Sequence, residues 1–283
     1  MQLWLALALL QLLCVPLAYT GDEQDELAAQ RVRKVLMAIN DAIDREDVGA
    51  YMLQVDVSEP TFLIEQRAWI TDAIDHGYEN LGYSFLGGMG ASQRSKSEIW
   101  AMVGIRWSEE FDGKPWDRVY LARFVSANAG TDVWTFAGPA WSHDLVDGRS
   151  DIRVLAGEHQ LELVERVLNL APEIVRRTER VMEQELDQQL VVKIYNKMNE
   201  LQASISPAYK NPLTGWNEPG ESIKILSMDS ISDSRLSSLL AHEIGHAVSF
   251  EYGPEINNAP WWSLEGIAEL VADEYRSASP EER

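Results

Sequence analysis

The sequence predicts an α+β protein built in two parts. Three observations carry this. A helical apolar stripe opens the chain and is followed by alternating strands; a mostly helical stretch with two short apolar strands follows from Glu158; and the composition is that of a folded protein. Of 283 residues, 46% are apolar and 24% charged, which suits a chain with a real core and argues against disorder. The expected division is a leader over residues 1–20, an α+β domain over 22–156 with a helix on an antiparallel sheet, and a second domain over 157–283.

The leader reads LWLALALLQLLCVPLA from Leu3 to Ala18 and breaks into the acidic run GDEQDE. An apolar run of this length with a proline near its end and small residues after it predicts export, with the segment cleaved as a signal peptide or kept as a single N-terminal membrane anchor. The working parts then face outside the cytoplasm. Cys14 is the only cysteine, so no disulfide forms within the chain and no thiolate can complete a metal site beyond the leader. A formal net charge of −21, spread over both halves, leaves no clustered cations for a phosphate backbone and predicts no nucleic-acid partner.

After the leader, Leu27, Val32, Val35, Leu36, Ile39 and Ile43 recur at helical spacing and predict a helix over Glu26–Asp47. A second helix follows Pro60 through Ile64 and Trp69 to Ile74. Ile99, Ala101, Val103, Ile105 and Trp107 alternate, which predicts a half-buried strand; Arg118–Val125 and Thr131–Ala137 predict two more. The Gly87–Gly90 run lacks the Lys-Ser/Thr of a phosphate loop and reads as a bend or turn. Trp69, Trp100, Trp107, Trp116, Trp134 and Trp141 fall in this part, where they either pack a core or line a ligand cavity. The order of elements over residues 26–150, with VLMAINDAIDREDVGAYM from Val35 to Met52 as first helix and turn, resembles the nuclear transport factor 2-like fold. That resemblance implies a cone: a helix packed into a curved antiparallel sheet.

From Glu158 the pattern is helical through Leu161, Val164 and Leu168, with Pro172 expected to end one helix and a new one running to Leu186. Leu190–Tyr195 predicts a strand, Asn196 opens a helix, Ser206–Gly220 reads as a Pro/Gly/Asn-rich loop, and Ile223–Leu226 predicts another strand. A long helix over Ser234–Tyr252 stops at Gly253-Pro254, and a last helix begins near Pro260 and runs past Val271.

The long helix contains His242-Glu243-Ile244-Gly245-His246. Residues four apart share a helix face, so both imidazoles can reach one ion, with Glu243 beside the remaining coordination position. A third protein ligand is needed, and Trp262-Ser263-Leu264-Glu265-Gly266-Ile267-Ala268-Glu269 offers one: Glu265 follows His246 after 18 intervening residues, on the next helix.

The HExxH motif with this trailing WxxEGxAE resembles the gluzincin metallopeptidases of clan MA, and specifically their peptidase MA-like domains, over residues 158–276. The resemblance implies a zincin-like second domain binding Zn2+ through His242, His246 and Glu265, with Glu243 as general base. It implies that Glu269 orients a ligand imidazole, a role that the need to fix a histidine tautomer also favours. It makes Ile223, Lys224, Ile225 and Leu226 the edge strand that pairs with an extended substrate. Gly245 and Gly266 would allow close helix packing. Such enzymes place a Tyr or His after the third ligand to stabilise the oxyanion; here Tyr275 is the only later candidate, with Tyr252 and Tyr195 earlier in the chain.

The expectation is therefore an exported zinc metallopeptidase, a hydrolase acting on a peptide or protein. The alternative is a non-catalytic ligand-binding or scaffold protein whose zinc is structural. The sequence does not set the oligomeric state.

Overall fold

The computed structural model describes residues 21–87, 91–108, 116–127, 132–207, 209–228 and 230–276. The expected leader with Cys14 lies outside these residues, as do Gly88–Gly90 of the glycine run and the side chain of Trp116. Among the described residues no helix is long and apolar enough to cross a membrane.

The fold is mixed α+β. Three helices come first: α1 (Gly21–Asp44), α2 (Val48–Met52) and α3 (Pro60–His76). The stripe read from the sequence makes α1 amphipathic, burying Val32, Val35, Leu36 and Ile39. Pro60 at the first turn and left-handed Gly77 just past the end fix the bounds of α3.

An antiparallel sheet follows, made of β1 (Glu79–Phe85), β2 (Ala91–Ser95), β3 (Glu98–Ser108), β4 (Trp116–Ser126) and β5 (Trp134–Pro139). Its order is β1-β3-β4-β5, with β2 also pairing to β3. The alternation of β3 holds: Ile99, Ala101, Val103, Ile105 and Trp107 are all buried, facing a core that includes Ile39, Trp69 and Phe136. Two of these strands, β1 and β2, had no separate signal in the sequence.

The second sheet has the order β6-β7-β8-β10-β9. Its members are β6 (His143–Asp147), β7 (Ile152–Ala156), β8 (Leu190–Tyr195), β9 (Gly215–Trp216) and β10 (Ile223–Leu226). β7, β8 and β10 run parallel, while the two outer strands are antiparallel to their neighbours. The sheet takes in β6 and β7, both ahead of the division expected at residues 156 and 157. Against it pack α4 (Leu161–Met182) and α6 (Asp233–Phe250), around a second apolar core that α7 (Trp261–Arg276) completes; α5 (Met198–Ile205) follows β8.

Two local expectations need correction. Pro172 does not break α4, because the buried stripe Val164, Val167, Ala171, Ile174 and Thr178 continues across it. Packing along that stripe outweighs a local proline cost of about 3 kcal/mol. Ile223–Leu226 is also not the sheet edge. β10 lies between β8 and β9, and the Leu226 N–H donates to the Thr214 carbonyl at 2.9 Å, so its backbone is engaged on both sides. The edge on this side is β9, inside the stretch read as loop.

The two cores are joined by buried charge. Glu65 on α3 pairs with Lys193 of β8, lies 3.8 Å from Lys224 of β10, and accepts from the Ser222 N–H at 3.1 Å. Lys224 also pairs with Glu221. Near this network the Trp69 indole N–H donates to the Ala203 carbonyl at 3.0 Å.

Burial alone would raise the Glu65 pKa, but Lys193, Lys224 and the Ser222 hydrogen bond override it and hold it at about 2. Glu65→Gln leaves two buried lysines short of a counter-charge and is expected to cost about 3–5 kcal/mol. The folded pKa lies below the unfolded value near 4.5, so the stabilisation is complete above that pH and is lost as pH falls toward about 2. Urea unfolding midpoints over this window should fall more steeply for the parent protein than for Glu65→Gln; parallel curves would refute the assignment.

Candidate metal centre

The site is built on two helices that cross. Ser232 caps α6 by accepting from the Arg235 N–H at 3.3 Å, and Leu236, Leu240, Ala241, Ile244 and Val248 bury one face. His242 and His246 fall beside that stripe, one turn apart. After α6 the chain turns through Gly253 at φ 107°, makes a short 3-10 turn at Pro254–Asn258, and returns as α7.

The crossing depends on Gly245. A Cβ there would lie 3.1 Å from the Ala268 Cα, closer than a side chain sits comfortably against backbone, so glycine lets α7 approach. Glu265 is one turn before Ala268 and is thereby brought opposite the histidines. Gly266 does not contribute: a Cβ added there meets nothing within 4 Å.

The three expected ligands converge. His242 Nε2 and His246 Nε2 are 3.2 Å apart, His242 Nε2 is 3.4 Å from Glu265 Oε2, and His246 Nε2 is 3.5 Å from Glu265 Oε1. The two approaches to Glu265 use its two oxygens; with one donor atom from each residue the three lie within 4.8 Å of one another, a donor set that suits zinc in kind. Burial, then the neighbouring His242, lowers the His246 pKa against an opposing pull from Glu265, which favours the neutral ring that a ligand must be.

Glu269 lies behind His242. Its Oε1 is 3.2 Å from His242 Nδ1 and its Oε2 is 2.5 Å from Arg276 Nη1; Arg276 Nε donates to Ser238 Oγ at 3.2 Å. A proton held on Nδ1 by this carboxylate leaves the Nε2 lone pair pointing at the other two donors. The ion pair with Arg276 is the main cause of the lowered Glu269 pKa.

Glu243 is buried on the wall of a cleft of about 1300 Å³ that His242, His246 and Glu265 also line. Burial first, and then the charge of Glu265, push its pKa up to about 8. Its carboxylate lies against β9: a Cβ built on Gly215 would be 2.0 Å from Glu243 Oε1. Only glycine fits there while Glu243 keeps this position. Trp216 lines the same wall, and Tyr209 stacks edge-on against it at 5.4 Å. Gly215, Trp216 and Tyr209 carried no signal within the loop reading. Arg235 also faces the cleft, two turns before His242 on the same helix.

Tyr275 does not serve the site. Its ring packs on the second apolar core and, among the described residues, its buried hydroxyl has no hydrogen-bond partner, away from the residues lining the cleft. The Tyr252 hydroxyl is bonded to the Met182 carbonyl, and Tyr195 is buried on β8. Ile223–Leu226, covered by β9, stands one strand behind the cleft.

No protein-family model matches the chain, and no curated protein matches it. Among solved structures, a weak neighbour is an NTF-2-like protein of unknown function from Shewanella oneidensis MR-1. It is 13% identical, with a TM-score of 0.30, covering 38% of this chain and 93% of that one.

Zinc content checks the donor set. Purified protein should hold about one zinc per chain, and His246→Ala should lose it. Glu269→Ala should retain the site with zinc affinity about 10–100-fold weaker, read by competition with a chelator. Undiminished zinc in His246→Ala would refute the assignment.

Proposed function

We propose that the chain is an exported zinc-dependent metallopeptidase of the gluzincin type. On this reading it has a leader at residues 1–20, a cone-like domain and a zincin-like domain. The observation that carries it is the spacing of His242, His246 and Glu265, with a buried glutamate next in sequence to the first ligand.

Bound zinc would supply two things: acidification of a water and polarisation of a peptide carbonyl. The protein supplies the rest. Glu243, buried on the cleft wall next in sequence to the first ligand, is the carboxylate placed to take a proton from the attacking water and later give it to the leaving amine. Gly215 leaves its carboxylate room to stand at the cleft wall. The sheet edge that an extended peptide can join is β9, at Gly215–Trp216, beside Glu243. Substrate pairing is therefore proposed at these two residues in place of Ile223–Leu226.

One observation favours a second reading, a scaffold or ligand-binding protein with structural zinc: the expected oxyanion donor Tyr275 is turned into the core. Glu243→Gln separates the two. With a mixture of unstructured fluorogenic peptides as substrate, it should lower kcat by about 100-fold or more while zinc content and melting temperature stay unchanged. Equal turnover in this variant would overturn the catalytic reading.

Gly215→Ala tests the seat of the base. The added methyl must displace either Glu243 or the strand. A fall in kcat comparable to that of Glu243→Gln, with zinc retained, is expected; full activity would show that the carboxylate does not depend on this glycine.

A further inference from the structure

Two hollows meet at the end of the short edge strand β9. One is the cleft that the metal ligands line; the other, of about 480 Å³, lies between β9 and α3. Tyr209, Trp216 and Glu218 line both, so the two form one groove. From Gly215, beside Glu243, the chain runs three residues on to Glu218, a reach of at most about 10 Å. A peptide lying along β9 would carry a side chain two or three residues from its scissile bond into this junction. Ala68 and Asp72 of α3 form the far wall, so the first core completes the groove.

The junction has the chemistry of a site for a basic side chain. Trp216 and Tyr209 present aromatic rings, to whose faces a guanidinium or ammonium is attracted. The Glu218 carboxylate accepts no hydrogen bond among the described residues. The one cation among them that draws on it, Lys224, is already paired with Glu221 and lies 3.8 Å from Glu65. Desolvation, and then the charge of Glu221, raise the Glu218 pKa, so this carboxylate is short of positive charge. Asn217, next to it on the cleft wall, is only 9% exposed; its Nδ2 donates to the Glu221 carbonyl at 3.3 Å, and among the described residues its buried Oδ1 has no partner. Asp72 adds a second carboxylate across the hollow, 3.2 Å from His76 Nδ1, while Lys210 lines the second hollow alone. Acceptors and aromatic faces are in excess where the hollows meet, and a net charge of −21 draws basic partners from a distance.

We propose, resting on the peptidase reading above, that this junction is a specificity subsite for an arginine or lysine side chain of the substrate, its cation against Glu218 and its stem against Trp216 and Tyr209.

The test is binding of fluorescent peptides to purified Glu243→Gln, read by anisotropy, so that no turnover is needed. The peptides are neutral and capped at both ends, with a single arginine moved through the sequence and citrulline as its uncharged counterpart; a second set has a free N-terminus. At least one capped arginine peptide should bind about tenfold or more tighter than its citrulline partner. The preference should shrink to about twofold or less when Glu218→Gln is added. Ala68→Arg, at an exposed position on α3, puts a competing cation into the hollow and should have the same effect, with zinc content unchanged in both. The proposal is overturned if neither peptide binds, if arginine and citrulline bind alike at every position, if a free N-terminus is required for tight binding, or if the preference survives either substitution. Cleavage by the parent with no arginine preference would overturn the subsite alone; arginine-dependent binding with no cleavage by the parent would overturn catalysis alone.

Discussion

The close crossing of α6 and α7 at Gly245 and Ala268 is the constraint on which the rest depends. Two histidines on one helix supply two donors, and helical spacing makes that automatic. The third donor must come from another element and must arrive within a few tenths of an ångström. Because Gly245 has no side chain, α7 can lie with the Ala268 Cα only 3.1 Å from where a Cβ would stand. Glu265 then falls opposite both imidazoles, and Glu269, one turn further along, reaches the back of His242.

The second sheet sets the other wall of the cleft. β8 and β10 are fixed from behind by Glu65, whose charge is shared between Lys193 and Lys224. Lys224 pairs across the sheet with Trp216, and Ile225 with Gly215. The register of the two-residue strand beside Glu243 therefore rests on a strand anchored to α3 of the first core. A buried charge network of this kind contributes less to net stability than its short contacts suggest, since desolvation offsets much of the attraction. It does fix which strand lies next to which.

Much of this was legible in the sequence where one local rule decided the outcome. The alternation of Ile99 to Trp107, the stripe of α1, and the bounds of β8 and β10 all follow from period and punctuation. The convergence of His242, His246 and Glu265 was legible because HExxH and the Glu265 position each carry a chemical reason for their spacing. What was not legible depends on partners distant in sequence. Gly215–Trp216 is too short to show a strand period, and only pairing with β10 makes it one. β6 and β7 join the second sheet through β8, a contact that residue pattern alone does not specify. Pro172 follows a local rule that tertiary packing overrides. Tyr275 was singled out by elimination along the chain, and the direction of its side chain is decided by the core it fills.

The account turns on one arrangement of donors, and X-ray absorption at the zinc edge of the purified protein tests it most directly. The account predicts a four-coordinate centre of nitrogen and oxygen donors at about 2.0–2.1 Å, with the multiple-scattering signature of two imidazoles and one of these reduced in His242→Ala. A zinc centre with fewer than two imidazoles, or a spectrum unchanged by that substitution, would contradict it.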